Sequence, residues 1–143
     1  MTAERVDALV AYFETLTPQS LAELPRFYAK DCRFRDPFND VRGFPALQAI
    51  FTHMFERLDA PRFIVRERVF EAPRLFITWD FEFRFRSFRP GVTQHIHGSS
   101  LITFDESGLV AIHRDYWDAA EELYEKLPLL GGVLGWLKKQ GRP

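Results

Sequence analysis

Two periods of apolar residues divide this chain. Over its first sixty residues the spacing is helical. Val6, Leu9, Val10 and Phe13 share one face and predict a helix near residues 3–15. Thr17-Pro18 reads as an N-cap followed by proline at the first helical position. It opens a second helix through Leu21, Leu24 and Tyr28, which Pro25 should bend. The run Cys32-Arg33-Phe34-Arg35 reads as a short strand ending at Asp36-Pro37-Phe38. A third helix starts at Gly43-Phe44-Pro45, with Leu47, Ile50, Phe51, Met54, Phe55 and Leu58 as a broad apolar stripe.

After Pro61 the period changes to two. Leu75, Ile77, Trp79, Phe81, Phe83 and Phe85 alternate with a series that becomes Asp80, Glu82, Arg84 and Arg86. This is a long strand with one packed and one wet face. Phe63 to Phe70 reads as the strand before it, joined by Glu71-Ala72-Pro73. Thr93 to Phe104 and Leu109 to Trp117 form another hairpin around Asp105-Glu106-Ser107-Gly108. Helices first and a curved antiparallel sheet afterwards predict an α+β fold. The main domain spans residues 1–118, and 119–143 form a helical extension of it.

Composition narrows the function classes. At 143 residues the chain is one domain with a sizeable core, and a net charge of −1 gives no nucleic-acid footprint. Fifteen Phe, three Trp and four Tyr make the interior aromatic, which suits a dense core or an apolar ligand site. Cys32 is the single cysteine, so no intramolecular disulfide forms; a reducing, cytoplasmic compartment fits. Glu4, Arg5 and Asp7 replace the apolar core of a secretory peptide. The greasy run Leu127 to Leu137 is broken by Gly and Pro and is far short of the ~20 residues of a membrane span.

The residues that carry chemistry lie in the strands. If Phe104 pairs with Leu109, Ser100 faces His113 and Gly98 faces Asp115, and alternation puts all four with Trp117 on one face. A carboxylate beside an imidazole fixes its tautomer or raises its pKa, but the same pair also suits a salt-bridged solvent face. Asp36, at a strand end before a rigid proline, is a candidate general base, or else a turn starter bonded to nearby backbone N–H groups. Tyr12, at the edge of the first helix's stripe, can aim its hydroxyl into a cavity or rest half-buried in the core. His95 and His97 share the opposite face; no third ligand lies near them in sequence, so no metal site is expected. No residue pattern asks for a cofactor. The tail, with Trp136 and Lys138-Lys139, packs on the domain or a second subunit, or lies on a membrane surface.

Three helices before a bent sheet, the segment Tyr28-Ala29-Lys30-Asp31-Cys32-Arg33-Phe34-Arg35-Asp36-Pro37-Phe38, and a later Gly43 resemble the nuclear transport factor 2-like superfamily. The similarity is greatest to its ketosteroid isomerase and SnoaL-like polyketide cyclase branches and covers residues 5–118. The resemblance implies a cone-shaped fold, three N-terminal helices over the concave face of a curved, mostly antiparallel sheet. It implies that Asp36 is the general base. It also implies that Tyr12, 24 positions earlier (36 − 12), donates to the substrate oxygen. Ser100 falls where the isomerase holds a second donor, a carboxylic acid kept neutral. His113 and Asp115 fall where the isomerase is apolar or small, which implies a more polar pocket than a bare steroid needs. The segment from Tyr116-Trp117-Asp118 through Leu127 is similar to that of an uncharacterised bacterial branch.

The reading that follows is acid–base isomerisation, cyclisation or dehydration of a small hydrophobic carbonyl compound. Asp36, Tyr12, His113 and Asp115 would be catalytic, with Ser100, Trp117, Trp79, Phe81 and Phe55 contacting substrate. The alternative is a non-catalytic binder of a hydrophobic small molecule or a protein partner. A homodimer through the outer sheet face is expected from the resemblance.

Overall fold

The computed structural model describes residues 2–86, 89–122, 133, 135–137 and 139–142. Helix α1 spans Ala3–Glu14. The Thr2 side chain caps its start by accepting from the Arg5 N–H at 3.3 Å. Val6, Leu9, Val10, Tyr12 and Phe13 form its buried face.

The expected second helix is broken in two. A 3-10 segment, Gln19–Glu23, runs into a single α-turn, α2, Leu24–Phe27. Pro25 lies in the first turn of α2, where its missing N–H is tolerated, so the chain restarts there instead of bending. Tyr28 is then extended and opens strand β1, Tyr28–Arg35, where the sequence pattern placed it on a helix. This correction moves a fully buried phenol from a helix to a strand.

Strand β2, Asp40–Arg42, pairs back on β1. Gly43 follows with φ of +89°, a conformation that side chains resist, and its N–H donates to the Cys32 carbonyl at 2.7 Å. That turn aims helix α3, Phe44–Arg57, across the sheet. Leu47 and Phe51 are its buried residues.

The remaining strands are β3, Leu58–Glu71; β4, Arg74–Phe85; β5, Gln94–Phe104; and β6, Val110–Tyr116. The sheet order is β2-β1-β6-β5-β4-β3. Every neighbouring pair is antiparallel except β1 with β6, which run parallel. The sheet curls without closing, with β2 and β3 at its edges. Irregularities in β3 near Ala60 and Arg66 interrupt the pairing with β4, as bulges do where a sheet bends. In β4 the odd positions from Leu75 to Phe83 are buried, as alternation predicts. These side chains meet α1 and α3 in one core that also takes in Leu21, Leu24, Ile96, Ile102 and Val110.

A short helix α4, Ala119–Glu122, follows the sheet, and residues 133, 135–137 and 139–140 are helical. The rest of the expected helical tail lies outside the described residues. Among the described residues no helix is long and apolar enough to cross a membrane.

Candidate active site

The site grows from the pairing of the first, middle and last strands. Ser100 pairs with Asp115 and Ile102 with His113, a shift of two from the expected register. Phe104 pairs with Val110 instead of Leu109, which shifts the register by one, and an irregularity between Thr103 and Phe104 adds the second, beside a loop closed by the Asp105 N–H on the Leu109 carbonyl at 2.8 Å. A shift of two keeps every side chain on its face, so Ser100, His113 and Asp115 still converge. Parallel pairing of β1 with β6 sets Phe34 beside His113 and brings Tyr28 to the same layer.

Four donors then act in series. The Trp79 indole N–H donates to Ser100 Oγ at 2.8 Å, and that hydroxyl donates to Asp115 Oδ1 at 2.5 Å. His113 Nε2 lies 2.7 Å from the same Oδ1, and the Tyr28 hydroxyl lies 2.7 Å from His113 Nδ1. Burial, followed by the nearby Asp115 charge, pushes the Tyr28 phenol well above its usual 10. Tyr28 therefore keeps its proton, and its hydroxyl hydrogen bond to Nδ1 holds the ring with Nε2 toward Asp115. Every donation ends on Asp115 Oδ1. Among the described residues Oδ2 has no hydrogen-bond partner. Phe34 meets the imidazole edge-on at 5.0 Å, and Phe13 packs at 5.7 Å, so the ring is fixed by apolar contact as well.

Asp115 borders a cavity of about 340 Å³. Its walls are largely aromatic, with Phe51, Phe63, Trp79, Phe81, Phe83 and Trp117 among them. Asp36, His53 and Arg57 are its other charged or titratable lining residues. A second void of about 30 Å³ lies against Ser100, His113 and Asp115 and shares Phe51, Phe63 and Trp79 with the first. It is large enough for one water molecule.

The other expected site residues fall differently. Asp36 lines the cavity, but its Oδ1 accepts from the N–H groups of Phe38 at 2.8 Å and Asn39 at 2.7 Å. The Asn39 side-chain amide bonds both carboxylate oxygens at 3.1 and 3.2 Å. This is the turn-starting alternative, so Asp36 holds the loop at the cavity mouth rather than presenting a free base. Tyr12 does not line the cavity that Asp36 borders: its hydroxyl donates to the Ser20 carbonyl at 2.7 Å while its ring stacks on Phe27 at 4.5 Å. Burial, with a smaller contribution from the Glu23 charge, pushes this phenol up to about 12. Tyr12 closes the helix-to-strand junction and lines neither void.

Ser100 borders the small void and not the larger cavity, so it supports Asp115 instead of meeting a ligand there. Phe55 packs against the core without lining the cavity; Ile50, Phe51, Met54 and Arg57 present that face of α3 instead. Trp117 does line it and meets Phe38 edge-on at 5.5 Å. On the outer face His97 Nδ1 lies 2.8 Å from Asp80, and His95 lies 3.6 Å from Glu82. Among the described residues no group of three or more His, Cys, Asp or Glu is placed to hold a metal ion.

Three site residues escaped the sequence reading. Tyr28 was hidden because the helix was carried through Pro25. His53 and Arg57 sit one helical turn apart, beside Ile50 and Met54, where a polar residue looks like the wet border of the stripe. The usable signal was their spacing of three from two cavity-facing positions, Ile50 to His53 and Met54 to Arg57.

The fold and its curled sheet are those of the nuclear transport factor 2-like superfamily. The family profile of the SnoaL-like domain matches residues 9–113, and the chain belongs to that family. Solved structures agree on the fold. A nuclear transport factor 2-like protein of unknown function from Burkholderia pseudomallei is 15% identical, with TM-score 0.72 over 84% of this chain and 95% of that one. A SnoaL-like polyketide cyclase, so described for Shewanella denitrificans, is 17% identical, with TM-score 0.69 over 85% and 98%. An epoxide hydrolase from M. tuberculosis is 14% identical, with TM-score 0.70 over 96% and 94%. No curated protein matches the chain.

Proposed function

We propose that this SnoaL-like protein is an acid–base enzyme acting on a small hydrophobic carbonyl compound, with Asp115 as the proton-transferring group. The observation that carries the reading is the convergence of His113 and Ser100 on Asp115 Oδ1, with Oδ2 left unpaired among the described residues, in a residue that lines the cavity. The substrate would lie among Trp79, Phe81, Phe63 and Trp117. Oδ2 would take a proton from the carbon next to the carbonyl, and the electron pair of that bond would move into the enolate. The protonated carboxyl would then return the proton: to another carbon in isomerisation, to the departing hydroxyl in loss of water, or to the alkoxide formed when the enolate carbon attacks a second carbonyl of the substrate in ring closure. His113, Tyr28 and Ser100 are positioning residues that fix the carboxylate in place, as preorganised sites require.

Hydrogen–deuterium exchange tests this directly. 2-Tetralone in D₂O, followed by proton NMR, should lose its α-proton signal faster with protein than in buffer. Asp115→Asn should remove at least about a hundredfold of that acceleration. An Asp115→Asn protein as active as wild type would overturn the assignment.

Non-catalytic binding is the second reading, favoured by the predominance of hydrocarbon in the cavity wall. A co-purified ligand in native mass spectra, with no exchange on any ketone, would support it instead. A homodimer through the outer sheet face also belongs to this proposal. Val69 and Phe76 are cross-strand neighbours there and are exposed. Light scattering of wild type and Phe76→Asp would test it; a monomeric wild type rejects it. We place the protein in the cytoplasm, where an unpaired cysteine such as Cys32 is ordinary.

A further inference from the structure

We infer that Arg57 and His53 form a carboxylate-reading rim on the cavity, so that the ligand is an amphiphile with an apolar ring body and one anionic end. This rests on the proposed use of the cavity as a small-molecule site and names the class of molecule it takes.

Helix α3 carries both side chains. His53 and Arg57 are four residues apart, so their side chains sit one above the other on the same face. Both line the cavity, and both are exposed. Arg57 is in the last turn of α3, where the helix's own carbonyl groups favour a cation. Among the described residues neither side chain has a hydrogen bond or an ion pair. The two carboxylates on the cavity wall are Asp36, taken up by Phe38 and Asn39, and Asp115, held by Ser100 and His113. The guanidinium therefore offers its full fork of donors to whatever enters.

The distribution of polarity fixes the chemistry. Asp115, with a side chain only 16% exposed, lies on the wall shared with the inner void. Arg57 and His53 lie at the wet edge. An anion held there keeps part of its hydration and gains paired N–H donors, whereas the same anion among Phe63, Trp79 and Phe81 would be stripped of water without compensation. Ligand polarity is thus ordered: carboxylate outside on Arg57 and His53, apolar body along the aromatic wall, reacting carbon toward Asp115. A volume of about 340 Å³ lies near the small end of the usual ligand-pocket range of about 300–1,000 Å³, which limits the body to two or three fused rings.

The test titrates wild type with 2-naphthoate and with 2-naphthamide, which share the ring system and differ in charge. Calorimetry reads the two affinities, and tryptophan fluorescence reports contact with the wall that holds Trp79 and Trp117. Wild type should bind the carboxylate at least about tenfold tighter than the amide at low salt, as charge-assisted pairing predicts. Arg57→Gln should bring the two within about twofold by weakening the carboxylate alone, and Arg57→Lys should restore part of the difference. Equal affinities in wild type, a preference that survives Arg57→Gln, or failure of wild type to bind either probe would each overturn the inference. Asp115→Asn separates the two proposals. It should abolish tetralone exchange yet retain or strengthen the preference for naphthoate. A lost preference with intact Asp115-dependent exchange refutes the rim alone. Intact exchange in Asp115→Asn refutes the base alone.

Discussion

The Tyr28 phenol on the first strand is hydrogen-bonded to Nδ1 of His113 on the last, across 2.7 Å in a buried layer. That bond holds the imidazole whose other nitrogen, Nε2, meets Asp115 Oδ1.

Tyr28→Phe should therefore do more than loosen the core. It leaves Nδ1 without a donor in an apolar surround, which costs about 1–3 kcal/mol by the usual measure of a buried unsatisfied group. Urea unfolding should show that loss. ¹⁵N NMR should show a changed His113 Nδ1 signal. Unchanged His113 ring signals in the variant would show that the phenol does not hold the imidazole.

Asp36→Asn should leave tetralone exchange within a few-fold of wild type, because an amide oxygen can still accept from Phe38 and Asn39. Asp36→Ala should cost stability of about 0.5–2 kcal/mol, the range for losing a side-chain cap on backbone N–H groups. A hundredfold loss of exchange in Asp36→Asn would return the role of base to this residue.

Gly98 is a packing requirement for the network. A Cβ built there would lie 2.5 Å from the Trp79 ring and 3.0 Å from the Trp117 Cβ. Gly98→Ala should tilt the Trp79 indole off Ser100 and destabilise the protein by about 1–3 kcal/mol, as overpacking does. Near-ultraviolet circular dichroism should change with it. Wild-type spectra and unfolding midpoint in the alanine variant would show that the sheet yields without disturbing Trp79.

Asp80 carries a pH dependence on the outer face. The His97 hydrogen bond, then the Arg66 hydrogen bond, hold its carboxyl below the usual 3.8. A depressed folded-state value means the contribution is present above pH 3.8 and is lost as pH falls through the lower folded-state value. Urea midpoints should fall more steeply below pH 4 in wild type than in Asp80→Asn, and the two curves should approach each other there. Parallel curves would remove Asp80 from the acid response.

Much of the architecture was legible because it is local. The 3.6-residue stripe of α3 and the two-residue alternation of β4 each follow from side chains on one element, and both formed. The site was half legible for the same reason. His113 and Asp115 share a strand face by simple alternation, and a register shift of two could not separate them. The partners that matter most come from elsewhere. Pairing of β1 beside β6 is parallel and distant in sequence, so nothing near Tyr28 announces His113. Asp36 and Tyr12 do not line the cavity together for a local cause: the Ser20 carbonyl, eight residues on, takes the Tyr12 hydroxyl, while Asn39, three residues on, bonds Asp36.

The parallel seam between β1 and β6 also has a consequence for biosynthesis. Tyr28 and His113 are 85 residues apart, so at about 5–20 residues per second the phenol emerges from the ribosome roughly 4 to 17 s before its imidazole. Until β6 has been made, a nascent chain holds the helices and the aromatic hairpin without His113 and Asp115. The hydrogen-bonded series on Asp115 can close only after that strand is synthesised.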